Sequence, residues 1–402
     1  MNAGSLTVIV GAGFGGIATA RTLRPLLPEP HRILVVDWRP EVSVGAGHSW
    51  VLTGRRQPEQ VSRRLSGITR HGLEFRCAEV VAVDPAKRVL EIAGDKVQAD
   101  ALVLAPGARL TFEPLPGAAG VAHQFYDLDA ALRLGAALDA FPGGKVIMTV
   151  IGPPYKCPAA PHEAALLIHE RLTQRPGPER FSLSFITPEP QPMPVAGPKV
   201  GEAVRELYEQ RGIVARFGAR SVRVHSPSAT PAGSPPSRAV AGELEQADGT
   251  REPFDLLIAI PAHTAPAFLR EGGLLGGNGW VSVARETLAT QFDGVWAIGD
   301  VTHVPLEGGG MLPKAGVFAR AEGEAVAHAV AARMLGRGGA SDGPPVTFDG
   351  KGGCYLETGR GEAAFAEGDF FARPAPVVTL HPPSRAGLAA KEKFVKEWAR
   401  WY

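Results

Sequence analysis

Apolar residues near the start of the chain form two short runs, separated by a glycine-rich turn and a helical stretch. The first run is Leu6–Val10 and the second is Arg32–Val36. Between them the apolar periodicity predicts a helix over Ile17–Arg24. Pro25 should end this helix, because proline lacks an amide donor and clashes with the preceding turn. Short apolar runs bounded by glycine are typical of buried parallel strands, so the pattern predicts a βαβ unit.

The strand and helix pattern begins again near the middle of the chain. Further strands are predicted over residues 101–105, 145–151, 181–186, 213–217, 256–260 and 295–298, and further helices over 164–173, 200–210 and 316–335. Strands that alternate with helices form parallel sheets covered by helices. The predicted fold class is α/β, with two Rossmann-like dinucleotide-binding domains and a small C-terminal domain.

The predicted domains are discontinuous along the chain. We expect a first domain from residues 1–110 and 285–340, a second from 111–284, and a third from 341–402 that ends in an amphipathic helix. Two segments, 226–237 and 336–345, are rich in Pro, Ser, Ala or Gly and predict an exposed loop and a linker.

Length and charge narrow the classes of function. A chain of 402 residues exceeds what one ordinary core can hold, so it has room for a large cofactor between domains. The net charge of +1 provides no field that would attract nucleic acid. We find neither a secretory leader before Leu6 nor a run of about 18 apolar residues. The expected location is cytoplasmic or peripheral to a membrane, without a signal peptide or transmembrane helix.

The glycine-rich turn is the first feature with a chemical meaning. Gly11, Gly13, Gly15 and Gly16 follow the first strand and open the helix, and Asp37 ends the next strand. A helix N-terminus offers free amides and a partial positive charge to a pyrophosphate, and glycines let the backbone approach it closely. An acidic residue at the position of Asp37 accepts hydrogen bonds from ribose hydroxyls. The turn predicts a dinucleotide site.

Two further segments carry a family resemblance. They are the turn Ala105-Pro106-Gly107 and the pair Gly299-Asp300, each at the end of an apolar strand. With them the chain resembles the two-dinucleotide-domain flavoproteins, the pyridine nucleotide-disulfide reductases. The resemblance implies an FAD/NAD(P)-linked reductase fold with bound FAD, in which the turn Ala105-Pro106-Gly107 lies at the edge of the FAD domain. It also implies that Asp300 contacts the ribityl chain.

The second dinucleotide unit lacks the usual glycine turn. Its first strand is followed by Gly152-Pro-Pro-Tyr-Lys-Cys157-Pro158. Prolines remove amide donors and fix the backbone, so this turn cannot present an amide cradle to a pyrophosphate. The sequence predicts that NAD(P)H does not bind there.

The segment around Cys157 resembles a narrower group, the sulfide:quinone oxidoreductases and the flavin subunit of flavocytochrome c sulfide dehydrogenase. Residues 311–316 and 353–357 resemble the same group, and together the likeness covers most of residues 5–360. It implies FAD-dependent oxidation of sulfide to sulfane sulfur by a redox-active pair, Cys157 and Cys354. Electrons would pass to a quinone or to a separate cytochrome c.

The same resemblance implies further site residues. Lys314 would lie near the flavin, Gly316 would belong to the cofactor-binding segment, and Glu163 would relay protons to the cysteines. Many members have a third cysteine in the segment that corresponds to residues 121–127, which has none here. A pair resembles the flavocytochrome pattern more closely, and Cys77 is expected to be a buried packing residue.

The remaining residues leave alternatives open. His123, His162, His263 and His303 lack metal-ligand spacing, so no metal is predicted. The basic, aromatic helix 385–402 either lies on an anionic membrane or docks on its own protein. Five aromatic residues form either a quinone site or core: Phe365, Phe370, Phe371, Trp398 and Trp401. A homo-oligomer remains open.

Two other functions compete with sulfide oxidation. A type II NAD(P)H:quinone dehydrogenase shares the fold but needs an intact second glycine turn. A non-catalytic flavin redox sensor would use the cysteines only to report oxidation.

Overall fold

The computed structural model describes residues 4–175, 180–226, 236, 238–337 and 345–402. Most of the predicted loop 226–237 and linker 336–345, together with the predicted domain boundary at 340/341, lies outside the described residues.

The helices of the described residues are α1 (Phe14–Leu26), α2 (His48–Leu52), α3 (Pro58–Val61), α4 (Leu128–Ala140), α5 (Ala160–Gln174), α6 (Pro198–Glu209), α7 (Phe268–Glu271), α8 (Gly316–Met334) and α9 (Arg385–Trp398). The strands are β1 (Leu6–Val10), β2 (Arg32–Asp37), β3 (Glu41–Ser43), β4 (Ser62–Arg64), β5 (Glu74–Cys77), β6 (Val80–Asp84), β7 (Val89–Ile92), β8 (Asp95–Gln98), β9 (Ala101–Leu104), β10 (Arg109–Thr111), β11 (Gly144–Val150), β12 (Phe181–Thr187), β13 (Val214–Phe217), β14 (Ser221–His225), β15 (Gly242–Gln246), β16 (Arg251–Phe254), β17 (Leu256–Ile260), β18 (Ala262–Thr264), β19 (Val281–Ser282), β20 (Val295–Ala297), β21 (Thr302–His303), β22 (Lys351–Gly359), β23 (Glu362–Asp369) and β24 (Val377–Ser384).

The first parallel sheet has the strand order β20-β9-β1-β2-β5. The chain order reverses between β1 and β9, which lie side by side at the centre. In open α/β sheets such a reversal leaves a crevice at the carboxyl ends of the strands, where ligands bind. The glycine turn after β1, Asp37 at the end of β2, Ala105 after β9 and Gly299 near the end of β20 all lie at this edge.

The second parallel sheet has the order β13-β12-β11-β17. It repeats the arrangement of the first sheet without the fifth strand, and α5 and α6 connect its strands. A two-stranded antiparallel ribbon of β10 and β18 lies where the chain passes between the two units. The predicted α/β fold with two Rossmann-like units is confirmed.

The predicted end of the first helix was wrong. Pro25 lies inside α1, which continues to Leu26. Because Pro25 occupies the last turn, its missing amide removes a bond at the frayed end of the helix and leaves the earlier turns intact. Two residues after Pro25, the Leu27 amide still donates to the Leu23 carbonyl at 3.0 Å.

The C-terminal segment contains an antiparallel sheet, β22-β23-β24, with α9 packed against it. Sequence reasoning found one strand near Cys354 and missed β23 and β24. Both contain Gly or Pro, and β23 buries only two of its eight residues and β24 none, so they lack the continuous apolar run of a buried strand. Ser384 caps α9, and its hydroxyl accepts a hydrogen bond from the Gly387 amide at 3.0 Å.

Helices α1 and α8 pack closely because glycine lies at their contact. A Cβ built on Gly323 would lie 2.4 Å from the Gly15 carbonyl oxygen and 2.9 Å from the Thr19 Oγ1. The Thr19 hydroxyl donates to that same carbonyl at 2.9 Å, so it cannot move away without losing its partner. This contact holds the N-terminus of α1 against α8.

We expect Gly323→Ala to destabilise the protein by about 1–3 kcal/mol, because the added methyl group overpacks the contact between the two helices. Gly277→Ala is the matched control, since a Cβ there meets nothing within 4 Å. The free energies of unfolding from urea titrations measure the difference. Equal stability of the two variants would contradict the packing account.

Candidate active site

The turn after β1 forms a cradle with an open front. Gly11 has a φ of +97°, and a Cβ on it would lie 2.1 Å from the Ala105 carbonyl oxygen. A Cβ on Gly16 would lie 1.8 Å from the Gly11 carbonyl oxygen, so neither position accepts a side chain. A Cβ on Gly13, in contrast, would meet nothing within 4 Å. The open space at the N-terminus of α1 is where a pyrophosphate fits.

Asp37 lies beside this cradle as an ionised carboxylate. Its Oδ2 accepts the Ala12 amide at 2.9 Å, and the Arg39 guanidinium donates to both carboxylate oxygens at 2.9 and 3.0 Å. Burial opposes ionisation, but the hydrogen bonds and charge of Arg39 outweigh it, so the pKa of Asp37 is lowered. Sequence reasoning missed Arg39, although its place two residues after the acid was a signal.

The two other predicted turns complete the edge of the crevice. The Ala105 amide continues the pairing with β1 by donating to the Val10 carbonyl at 2.8 Å, and Pro106 and Gly107 follow it. Gly107 and Gly299 both have positive φ, at +70° and +74°. A Cβ on Gly316, the first residue of α8, would lie 2.8 Å from the Phe14 ring. The glycines and Asp37 together fit the pyrophosphate and ribose of FAD.

Lys314 and Asp300 lie next to each other in the crevice. The Lys314 Nζ donates to the carbonyl oxygens of Asp300 at 2.7 Å and Thr302 at 3.0 Å, and lies 3.5 Å from the centre of the Trp280 ring. Burial lowers the pKa of Lys314 to about 8. Burial also raises the pKa of Asp300, against the charges of Lys156 and Lys314. The bound cofactor would meet a cation that is close to titrating near neutral pH.

Glu322 on α8 is a buried acid that sequence reasoning missed. Its carboxylate accepts the Gly299 amide at 2.5 Å, and 2% of the residue is exposed. Burial raises the pKa of Glu322 to about 7, more than the hydrogen bond with Gly299 lowers it. The sequence offered no signal, because Glu322 lies within an ordinary alanine-rich helix.

The cysteine of the second unit occupies the turn after β11. Cys157 has a φ of +56°, its amide donates to the Lys314 carbonyl at 2.6 Å, and its carbonyl accepts the Ala160 amide at 2.9 Å. Pro158 and Pro161 carry no amide donor. The turn therefore has few amides to offer a pyrophosphate, and it is bonded to Lys314 of the first unit.

Cys354 on β22 lies opposite Cys157, with 3.9 Å between the two Sγ atoms. A disulfide bond is about 2.05 Å long, so both residues are thiols in this structure. The hydrogen bond between them lowers the pKa of Cys354 and raises that of Cys157, whose pKa burial raises further. We infer that Cys157 donates and that Cys354 is the more acidic thiol.

Glu163 lies near both cysteines but is engaged at both carboxylate oxygens. Its Oε1 accepts from the Ser49 hydroxyl at 2.7 Å and from the Lys391 Nζ at 2.6 Å. Its Oε2 accepts the Glu357 amide at 2.8 Å. All three partners are donors, so the geometry describes a buried carboxylate. The proton-relay role of Glu163 stays a prediction.

Two buried polar atoms in the same region lack a hydrogen-bond partner among the described residues, although the His263 Nδ1 is bonded to the Pro261 carbonyl at 2.9 Å. The Tyr126 hydroxyl and the His263 Nε2 make no hydrogen bond there, and the two rings are 5.1 Å apart. The Lys156 Nζ lies 5.8 Å from the centre of the Tyr126 ring. Tyr126 belongs to the segment that has no cysteine, and His263 follows β17. Nothing in the sequence indicated that they would meet.

The expectation that Cys77 is buried was wrong. Cys77 ends β5, the edge strand of the first sheet, and its side chain is exposed. No further strand of this sheet covers that edge in the described residues. Its Sγ lies 3.7 Å from the Trp38 carbonyl oxygen. In the sequence, Cys77 is far from the other two cysteines.

The terminal helix α9 docks on its own protein. Lys391, Val395 and Trp398 are buried, and Phe394 stacks on Phe14 with 5.8 Å between ring centres.

No helix in the described ranges is long and apolar enough to cross a membrane. Within the same ranges, no group of three or more His, Cys, Asp or Glu residues could hold a metal ion.

The predicted aromatic set divides between core and partly exposed positions. Trp398 and Phe370 are buried, and the Phe370 ring lies 5.0 Å from that of Phe318 on α8. Phe365, Phe371 and Trp401 are half-buried. Part of the set is therefore core, and the remainder borders the C-terminal sheet and α9.

Glu322 should give the protein a pH-dependent stability. The pKa of Glu322 is raised from 4.5 to about 7 in the folded state. Its favourable contribution to the free energy of unfolding is therefore complete below pH 4.5 and is lost as the pH rises through 7. Between these limits we expect the free energy of unfolding of the wild type to fall by up to about 3 kcal/mol relative to Glu322→Gln. Urea titrations across this pH range measure it, and parallel profiles would contradict the assignment.

Comparison with known proteins adds to the geometry. Residues 6–334 match the family described as pyridine nucleotide-disulphide oxidoreductase. The chain is 26% identical over 345 residues to the sulfide-quinone reductase of Aquifex aeolicus, covering 80% of this chain and 75% of the relative. It is 22% identical over 379 residues to the mitochondrial sulfide:quinone oxidoreductase of Mus musculus, covering 91% and 78%.

Solved structures show the same fold. The X-ray structure of the Aquifex aeolicus sulfide:quinone oxidoreductase superposes with a TM-score of 0.82 at 23% identity, covering 98% of this chain and 90% of that one. A ferredoxin reductase from Rhodopseudomonas palustris gives 0.71 at 20% identity, covering 91% and 83%. The predicted resemblance is confirmed: this chain belongs to the pyridine nucleotide-disulphide oxidoreductase family and is an FAD-binding oxidoreductase.

Proposed function

We propose that this protein oxidises sulfide to sulfane sulfur with FAD and the pair Cys157 and Cys354, and passes the electrons to a quinone. The observation that carries the proposal is the 3.9 Å separation of the two thiols at the turn where an NAD(P)H cradle would otherwise lie. The relatives named as sulfide-quinone reductase and sulfide:quinone oxidoreductase support the substrate and the acceptor.

The thiol chemistry balances without a further reagent. In the oxidised pair, hydrosulfide attacks one sulfur of the disulfide, a new S–S bond forms, and the Cys–Cys bond breaks. The displaced cysteine leaves as a thiolate that carries the electron pair. Over one turnover, HS⁻ loses two electrons and its proton to become sulfane sulfur, and the quinone gains those two electrons, that proton and a second proton from solvent. FAD, when bound, supplies the two-electron relay between them.

The more acidic thiol assigns a role to each cysteine. With Cys157 taken as the donor of the hydrogen bond between them, Cys354 is the better thiolate and the better leaving group when hydrosulfide attacks Cys157. The Cys157 amide also donates to the Lys314 carbonyl at 2.6 Å, so the backbone of Cys157 is joined to a residue of the crevice. Hydrosulfide addition at Cys157 would therefore put the new sulfur on the cysteine that is joined to that crevice.

Lys314 and Glu322 line one pocket of the crevice, and the resemblance implies that the flavin would lie near Lys314. Lys314 would stabilise negative charge there as a buried cation. The aromatic residues beside α9 are candidates for quinone contact, and the basic face of α9 is a candidate for peripheral membrane contact. A cytochrome c in place of the quinone is the alternative acceptor.

A second candidate function is NAD(P)H:quinone oxidation. It is favoured by 28% identity over 191 residues to the alternative NAD(P)H-ubiquinone oxidoreductase C1 of Arabidopsis thaliana, which covers 42% of this chain. The proline-rich turn around Cys157 argues against it. Steady-state quinone reduction with NADH that matches the rate with sulfide would favour this candidate instead. A pure redox sensor would show no multiple turnover with either donor.

Replacing either cysteine with serine should lower the rate of sulfide-dependent quinone reduction by at least about a thousandfold, because neither serine can form the S–S bond. Cys77→Ser is the matched control and should keep wild-type turnover, since Cys77 is exposed on an edge strand. The assay uses a soluble quinone analogue, with flavin content measured in each variant. Wild-type turnover by Cys157→Ser or Cys354→Ser at full flavin content would contradict the proposal.

A further inference from the structure

Helix α9 carries a lysine that points into the protein. The Lys391 side chain is 2% exposed, and its Nζ lies 2.6 Å from the Glu163 Oε1 and 3.1 Å from the Glu357 Oε2. The same ammonium group lies 4.9 Å from the centre of the Trp50 ring. Lysine is almost never fully buried unless it is paired, so this position requires both carboxylates.

The two carboxylates belong to the elements that hold the two cysteines. Glu163 lies in the first turn of α5, which begins directly after the Cys157 turn, and Glu357 lies on β22 with Cys354. The Glu357 amide donates to the Glu163 Oε2 at 2.8 Å, which joins the two elements directly. Lys391 joins α9 to this junction. The distance between the thiols therefore depends on three elements that meet at one buried cation.

The charges at the junction balance. Glu357 also pairs with Arg55, and its Oε2 accepts the Trp50 Nε1 at 2.7 Å. The packed elements thus supply the carboxylates Glu163 and Glu357, together with the cations Lys391 and Arg55. Removing Lys391 would leave two carboxylates and one cation beside Cys354. A buried carboxylate that loses its partner is costly and opposes any further negative charge nearby.

We propose that Lys391 is a positioning residue for the cysteine pair: its buried ammonium group holds together the junction of Glu163 and Glu357 and keeps a positive charge beside β22, the strand that carries Cys354. The inference rests on the proposed function for its relevance to turnover. It assigns the terminal helix a part in the thiol chemistry, which neither the glycine turns nor the cysteine motif indicated.

The electrostatics around Cys354 agree with this assignment. The hydrogen bond from Cys157 is the main cause of the lowered pKa of Cys354, and the charge of Lys391 lowers it further. Burial and the charge of Glu163 act in the opposite direction. Lysine and glutamate at one junction thus have opposite effects on the same thiol, which provides a test by sign.

The test is the rate of alkylation of Cys354 by iodoacetamide in the fully reduced holoenzyme near neutral pH, measured by mass spectrometry. Lys391→Met should slow this rate by about tenfold, and Lys391→Arg should restore it because the charge returns. Glu163→Gln should increase the rate. Cys77 in the same sample is the internal reference for reagent and pH.

Lys393→Met is the matched control on the same helix, because the Lys393 side chain is 78% exposed and pairs with Glu397. It should leave the Cys354 rate unchanged. A merely structural role predicts that Lys391→Met and Glu163→Gln change the rate in the same direction, or not at all, and either result would overturn the proposal. If Lys391→Met does not fold, the change in the Cys354 alkylation rate in Glu163→Gln and Glu357→Gln decides. Slower alkylation in both variants would also overturn the proposal.

The alkylation assay contains neither sulfide nor quinone, so it separates the two proposals. Opposite signs in a protein without sulfide turnover would support the junction and refute sulfide oxidation. Sulfide turnover in a protein whose Cys354 alkylation rate is unchanged in Lys391→Met would support sulfide oxidation and refute the junction.

Discussion

The hydrogen bond from the Cys157 amide to the Lys314 carbonyl, 2.6 Å long, joins the two dinucleotide units at their reactive edges. Lys314 belongs to the segment that leads into α8, and Cys157 to the turn that leads into α5. Cys157 lies in the turn after the parallel strand β11, and Lys314 lies against Asp300, which follows β20, so one backbone contact brings Cys157 beside the crevice of the first sheet. Cys157 makes this contact with a left-handed backbone, at a φ of +56°.

The two units repeat one architecture but differ in what their first turns offer. After β1, glycines leave an open space at Gly13 and free amides at a helix N-terminus, which suit a pyrophosphate. After β11, the prolines have no amide to offer, and the Cys157 amide already donates to the Lys314 carbonyl. Cys354 then completes the pair from the C-terminal sheet. We therefore propose that the second unit is a scaffold for a thiol and that the first unit holds the cofactor.

Sequence reasoning reached the elements that local patterns determine. The apolar runs of β1, β2, β9 and β17 and the glycine turn are short-range signals, and they were predicted within a residue or so of their observed bounds. Pro25 was misjudged because a proline in the last turn costs little. Strands β23 and β24 were missed because a half-exposed antiparallel sheet lacks the pattern of a buried strand.

The site was only partly predictable, since its partners come together through long-range packing. The cysteine motifs predicted Cys157 and Cys354 as a pair, and the structure brings their sulfurs within 3.9 Å. Nothing local indicated that Lys391, from the last helix, would reach Glu163, or that Glu322 would accept the Gly299 amide. Exposure of Cys77 depends on its strand lying at a sheet edge, which sequence alone does not state.

We propose that the protein takes electrons from sulfide through its thiols and not from a nicotinamide. The most direct measurement is an anaerobic titration of the holoenzyme with sulfide, NADH and NADPH in separate samples, following the flavin absorbance. The account predicts that sulfide bleaches the flavin in near-stoichiometric amounts, while NADH and NADPH leave it oxidised. Rapid bleaching by either nicotinamide, with none by sulfide, would contradict it.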